Sequence, residues 1–189
     1  ANGAASRIAP QVFRALGASV VATNCFADGM RINEKCGATY IAALKGRMKR
    51  YCADVGFAFD GDSDRFIAVD SDGNVVDGDA IIYVLAKYLK EKGKLNKNTA
   101  VGTSHTNMAY EKALKAEGID FIRTDIGDKY VLQKLAEDGL SLGGEQSGHI
   151  ILKDIHSTGD GILTAVVLAS VLSEKGASLS ELACVEPYP

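Results

Sequence analysis

Asp60, Asp62 and Asp64 alternate along the stretch Phe59-Asp60-Gly61-Asp62-Ser63-Asp64-Arg65, between the apolar runs 55–59 and 66–69. Three carboxylates held side by side repel one another unless a cation neutralises them. Hard oxygen donors suit Mg²⁺, Mn²⁺ or Ca²⁺. Gly61 lets the backbone turn tightly enough for the three side chains to converge. The loop is not of the EF-hand type, which needs Gly at its sixth position and Glu at its twelfth; Arg65 and Ser71 stand there. Arg65, beside the carboxylates, is suited to gripping a phosphate through two parallel bonds, and a salt bridge to one of the aspartates is compatible with that role.

Other readings of this loop stay open. A strand ending in D-x-D resembles the nucleophile motif of haloacid-dehalogenase phosphatases, with Asp60 as nucleophile and Asp62 as acid/base. Here, however, a third carboxylate, Asp64, stands where that motif has Thr or Val. The plainest alternative is a solvated acidic turn.

A second loop, Gly143-Gly144-Glu145-Gln146-Ser147-Gly148-His149, mixes donors and acceptors among glycines. That mixture suits a hydroxyl-rich ligand drawn close to the backbone. Glu145 is placed to accept bonds from sugar hydroxyls or an amino group, and His149 to carry a proton near neutral pH. The alternative is a polar hairpin in which Glu145 and His149 pair with each other. The segment 102–107, which includes Ser104 and His105, reads as a helix cap rather than a nucleophile and its base. Thr158-Gly159-Asp160-Gly161 reads likewise as a cap, and Gly127-Asp128-Lys129 opens a helix whose N-terminus could face an anion.

These loops need elements to carry them. Helical spacing is predicted over 7–16, 41–51, 79–92 (capped by Asp79), 108–117, 129–137, 162–172 and 179–183. Strands are predicted at 20–22, 55–59, 66–69, 100–103, 119–123, 140–142 and 149–152, with a hairpin turn at 71–74. The alternation reads as α/β. The 189 residues, nearly half hydrophobic, suffice for a substantial core in one large or two small domains. A boundary is placed near residue 75, giving two consecutive domains, 1–75 and 76–189, each a mixed β-sheet layered with helices.

A net charge of −3 argues against a nucleic-acid partner. The basic run 45–50 reads as a solvated helix face. Four cysteines without a C-x-x-C pair read as free thiols of a cytoplasmic protein. No apolar run reaches membrane-spanning length, so no membrane partner is expected. The chain starts without Met and ends at Pro189, which suggests a piece of a longer polypeptide.

Together the two loops resemble those of the α-D-phosphohexomutase family. Residues 60–65 resemble its metal loop and 144–149 its sugar loop; 76–79, 127–131 and 158–161 match intervening pieces. Within the family, Glu145-Gln146-Ser147-Gly148-His149 with Gly127-Asp128-Lys129-Tyr130-Val131 is most similar to the branch of bacterial phosphoglucosamine mutases.

The resemblance implies a four-domain isomerase of carbohydrate metabolism, serving amino-sugar and cell-wall precursor synthesis. This chain would be its metal-binding domain 2, lacking a first strand, and its sugar-binding domain 3. It implies a phosphoserine on an absent first domain, so that Ser104 is not that serine and the segment is inactive alone. It implies Mg²⁺ on Asp60, Asp62 and Asp64, substrate contacts from Glu145, Gln146 and Ser147, and catalytic roles for Arg65, His149 and Lys129. The reaction implied interconverts glucosamine 6-phosphate and 1-phosphate through a bisphosphorylated sugar; a phosphomannomutase/phosphoglucomutase is the alternative within the family. The implied partners are the phosphosugar and the rest of the polypeptide, with room for a homodimer. Outside the family, a phosphatase and a non-catalytic metal- or sugar-binding module stay open.

Overall fold

The computed structural model describes residues 1–26 and 28–185. In chain order the elements are α1 (Ala5–Ala15), α2 (Ala42–Tyr51), β1 (Val55–Phe59), β2 (Phe66–Asp70), β3 (Val75–Val76), α3 (Gly78–Glu91) and β4 (Thr99–Thr103). They continue with α4 (Met108–Ala116), β5 (Asp120–Thr124), α5 (Asp128–Asp138), β6 (Leu142–Gly144), β7 (Ile150–Leu152), α6 (Gly161–Lys175) and α7 (Leu179–Leu182). The alternation expected of an α/β chain is present, with two mixed layers of sheet and helix. The end of the expected second domain, 186–189, lies outside the described residues.

The first sheet is an antiparallel meander, β1-β2-β3. Its hairpin forms because the Asp70 carboxylate accepts the Asp72 and Asn74 amides at 3.0 and 2.8 Å, a local bond typical of Asp in turns. The second sheet has the order β5-β4-β6-β7, with β4 parallel to both neighbours and β7 antiparallel to β6. Side chains alternate across it as strand geometry demands. Val101 and Ile151 meet Val131 and Leu135 of α5 on one face, while Ala100, Leu142 and Ile150 join α3 and α6 on the other.

One apolar core runs through both sheets. Phe57 and Phe66 meet edge-on at 5.2 Å, Phe59 lies over Phe66 at 5.7 Å, and Phe13 of α1 reaches Phe57. Ala165, Leu168 and Val171 of α6 belong to the same cluster, so α6 packs on the first sheet as well as the second. Leu168 is fully buried there. Leu168→Ala removes that packing and should cost about 2–5 kcal/mol. A single melting transition shifted down by roughly 4–20 °C is expected in scanning calorimetry; two separating transitions would contradict a shared core.

Two sequence expectations fail. The run 20–22 forms no strand, and Val21 is 54% exposed. Register explains why. The amides of Phe66 and Asp70 point away from β1, to Gly148 and Asn74, so antiparallel alternation turns the backbones of Val55 and Phe57 outward. That edge carries a bond from Ala38 N to Phe59 O at 3.1 Å. Beyond it the edge opens into a groove of about 350 Å³ lined by 18–25, α1 and α2. An apolar run becomes a strand only beside a partner edge, and here a groove intervenes. The second failure is Asp79: the cap of α3 is Asp77, whose carboxylate accepts Ala80 N at 3.1 Å, and Asp79 is turned inward.

The basic run of α2 is exposed around a buried Met48, as a solvated face should be. Cys25, Cys36, Cys52 and Cys184 are free. Among the described residues no helix is long and apolar enough to cross a membrane.

Candidate active site

β1 delivers Asp60 to the end of the first sheet, and the chain turns back into β2 within five residues. One carboxylate oxygen from each of Asp60, Asp62 and Asp64 lies within 4.8 Å of the others. The loop is held from outside. The Ser63 hydroxyl accepts Ala5 N and the Gly61 carbonyl accepts Ala4 N, at 2.9 and 2.8 Å, both at the start of α1. The Ser63 carbonyl accepts Gly161 N, the first residue of α6, at 2.9 Å. The backbone that carries the three carboxylates is therefore held from both sides.

Their charges are unequal in setting. Asp60 is buried, and its two oxygens take the Arg65 amide at 3.2 Å and Arg65 Nε at 2.7 Å. Arg65, 41% exposed, turns its guanidinium along the mouth of the loop and lies 3.8 Å from Asp64. Asp62 is exposed. Burial, and then the negative charges of Asp60 and Asp62, push the Asp64 carboxyl above its usual range. Asp64 Oδ1 is buried with no hydrogen-bond partner. An orphaned buried oxygen facing two like charges fits a hard divalent cation by its donor chemistry.

The glycine-rich loop follows β6. Glu145 N donates to His149 O at 3.0 Å and Gly148 N to Glu145 O at 2.9 Å, closing a tight turn. Gln146 and Ser147 are exposed at its tip. The side chains of Glu145 and His149 do not pair with each other. Glu145 Oε1 accepts Gly127 N at 2.9 Å, so the anion at the start of α5 is this carboxylate. His149 Nδ1 meets Asp64 Oδ2 at 3.1 Å, and its ring is buried. Lys129 is exposed on α5, its ammonium 4.6 Å from the Tyr130 ring centre.

The two loops are joined directly. Arg65 and His149 form an antiparallel bridge, and Phe66 N donates to Gly148 O at 3.0 Å. Residues of the acidic loop and of the glycine-rich loop thus share one short ladder. Asp160 caps α6 through Leu163 N at 2.9 Å, as its sequence suggests. Ser63, Gly161 and Asp128 fall in segments that the sequence singles out, yet nothing in it signals their contacts: Ser63 ties the acidic loop to α1 and α6, and Asp128 lies 3.9 Å from His149 Nε2.

Residues 1–73 match the family model described as phosphoglucomutase/phosphomannomutase, alpha/beta/alpha domain II, and residues 77–188 match domain III. The chain is 52% identical over 190 residues to phosphoglucosamine mutase of Caldicellulosiruptor saccharolyticus, covering all of this chain and 42% of that protein. It is 50% identical to phosphoglucosamine mutase of Geobacillus kaustophilus over the same shares. The chain therefore spans about two-fifths of the length of these curated relatives.

Among solved structures, a phosphoglucomutase/phosphomannomutase family protein of Burkholderia thailandensis superposes with TM-score 0.80 at 26% identity, over 96% of this chain and 40% of that one. Aspergillus fumigatus N-acetylphosphoglucosamine mutase, solved with GlcNAc-6P and magnesium, shares the fold at TM-score 0.70 and 20% identity, over 90% of this chain and 44% of that one. With both family models matched across nearly its whole length, this chain belongs to the phosphoglucomutase/phosphomannomutase family.

Proposed function

We propose that this chain is the metal- and sugar-binding middle of a phosphosugar mutase that interconverts glucosamine 6-phosphate and glucosamine 1-phosphate. The observation that carries the reading is the ladder joining Arg65 to His149, which sets a carboxylate triad beside a glycine-rich hydroxyl-binding loop. The glucosamine preference rests on the names of the relatives.

In this reading residues 1–75 and 76–189 are the metal and sugar domains, and the open edge of β1 is where a further strand of the first domain pairs. Asp60, Asp62 and Asp64 hold Mg²⁺, which when bound supplies positive charge to a phosphoryl group in transfer. Arg65, anchored by Asp60, keeps guanidinium nitrogens for the phosphoryl oxygens of a phosphoserine on another part of the polypeptide. Glu145, Gln146 and Ser147 hold sugar hydroxyls in either orientation of a bisphosphorylated intermediate. His149 orients Asp64 and is the candidate proton carrier. Lys129 adds positive charge on the sugar side. The other partners are the sugar phosphate and the remaining domains, in a cytoplasmic enzyme with neither nucleic acid nor membrane bound; a homodimer is compatible.

A phosphatase using Asp60 as nucleophile fits poorly, because both of its oxygens are engaged by Arg65 in a buried position. The decisive experiment assays the longer mutase polypeptide on glucosamine, glucose and mannose phosphates. Glucosamine 6-phosphate is expected to have the highest kcat/KM; if it were the poorest substrate, the named substrate would be wrong. The 189-residue chain alone should show no mutase activity. Hydrolysis of phosphate esters by it, abolished in Asp60→Asn, would instead favour the phosphatase.

A further inference from the structure

Ser104 and His105, exposed after β4, have no part in the reading above. β4 lies between β5 and β6 in the sheet. The Glu145 carboxylate, from the loop after β6, reaches Gly127 N, in the loop after β5. It therefore crosses the carboxyl end of β4. Extending the parallel register from Ala100↔Leu142 and Val101↔Gly143 brings Thr103 opposite Glu145. The chain leaves β4 toward β5 and returns to β6 on the other side, and such a switch point is where open α/β sheets bind ligands.

This turn is clamped at both ends. Arg123 Nη1 donates to the carbonyls of Thr103, Ser104 and Thr106 at 3.3, 3.3 and 2.9 Å. Asp79 Oδ2 accepts Asn107 N at 2.9 Å. Asp79 is 1% exposed, and its other oxygen has no partner. The groups around it are Asp77 on its own segment, the Thr106 hydroxyl, Arg123 from β5 and Tyr110 from α4.

Burial pushes the Asp79 carboxyl up to about 6. A folded-state value above the unfolded one means that the group favours folding below about pH 4, an advantage lost as pH rises through 6. At neutral pH a neutral residue would be the more stable choice, so the carboxylate's contribution lies in what it holds. Its neighbours grip the sugar loop: Gly78 N donates to Gln146 O at 3.0 Å, and the Asp77 carboxylate accepts Gln146 Nε2 at 3.2 Å. A Cβ at Gly78 would overlap the Glu145 carbonyl. Three consecutive residues thus brace both the sugar loop and the turn after β4.

We propose that the Ser104–His105 turn is a third wall of the sugar site, offering a hydroxyl and an imidazole to sugar hydroxyls, and that Asp79 is its positioning residue. The proposal rests on the sugar-binding reading of Glu145–Ser147.

The test uses the 189-residue chain at pH 7.5, with amide exchange by NMR and calorimetric titration of glucosamine 6-phosphate. Asp79→Ala should speed exchange at Ser104, Thr106 and Asn107 and lower affinity about tenfold, the scale of one lost buried hydrogen bond. Asp79→Asn, which keeps an acceptor for Asn107 N, should restore both without lowering the melting temperature. His105→Ala should lower affinity with exchange unchanged. Unchanged exchange in Asp79→Ala would overturn the positioning role. Unchanged affinity in both alanine variants, with the wild-type chain binding, would overturn the third wall. A wild-type chain that bound no sugar phosphate would count against the underlying sugar-site reading, and the exchange pattern would still decide the clamp.

Discussion

Asp62→Asn is expected to weaken Mn²⁺ or Mg²⁺ binding by at least about a hundredfold, given how strongly such sites depend on ligand charge, while leaving the metal-free chain as stable as before or slightly more so. The sign of the second effect follows from the site. Asp62 is exposed, and its charge is among the causes that raise the Asp64 carboxyl. Without metal, removing that charge relieves repulsion. With metal, the wild-type chain gains about 2.7 kcal/mol at a hundredfold excess over Kd, and the variant at the same concentration gains far less. Titration calorimetry and melting with and without Mn²⁺ read both effects. Equal affinity in the variant would remove the triad as the metal site. Asp60→Asn is a poorer probe, because Asp60 also anchors Arg65.

Gly148→Ala is expected to be the most damaging single substitution at the junction of the loops. Gly148 has φ +93, in the left-handed region, and a Cβ there would overlap the Phe66 carbonyl oxygen. The strain is about 1–2 kcal/mol for an L residue. The clash is backbone against backbone, so no rotamer change relieves it. The Phe66–Gly148 bond and the adjoining Arg65–His149 bridge must open. A total near 3 kcal/mol corresponds to a melting temperature lower by roughly 6–12 °C, together with weaker binding of both metal and sugar phosphate. Thermal unfolding followed by circular dichroism measures the first. A loss under about 1 kcal/mol would mean that the loops tolerate separation.

Both loops were legible in the sequence because each is local. The alternating carboxylates converge within five residues, and the glycines of the second loop announce a tight turn. Their junction was not legible, since His149 and Asp64 are 85 positions apart. Sequence proximity suggested Glu145 as the partner of His149, but the sheet order sends Glu145 across β4 to Gly127. Asp77 and Asp79 are equally good caps by type, and only the packing of α3 against α4 assigns the cap to one and burial to the other. The run 20–22 has strand composition, and composition cannot supply a neighbouring edge.

The shared ladder also bears on how such proteins can be recombined. A crossover between relatives at residue 75 looks clean, because it falls between two family domains. It would nevertheless take Ser63, Asp64 and Phe66 from one parent and Gly161, His149 and Gly148 from the other. Each of those pairs is a direct contact. The unit that must be inherited intact is therefore the pair of loops with the start of α6, and chimeras that respect the domain border but mix these partners should be selected against.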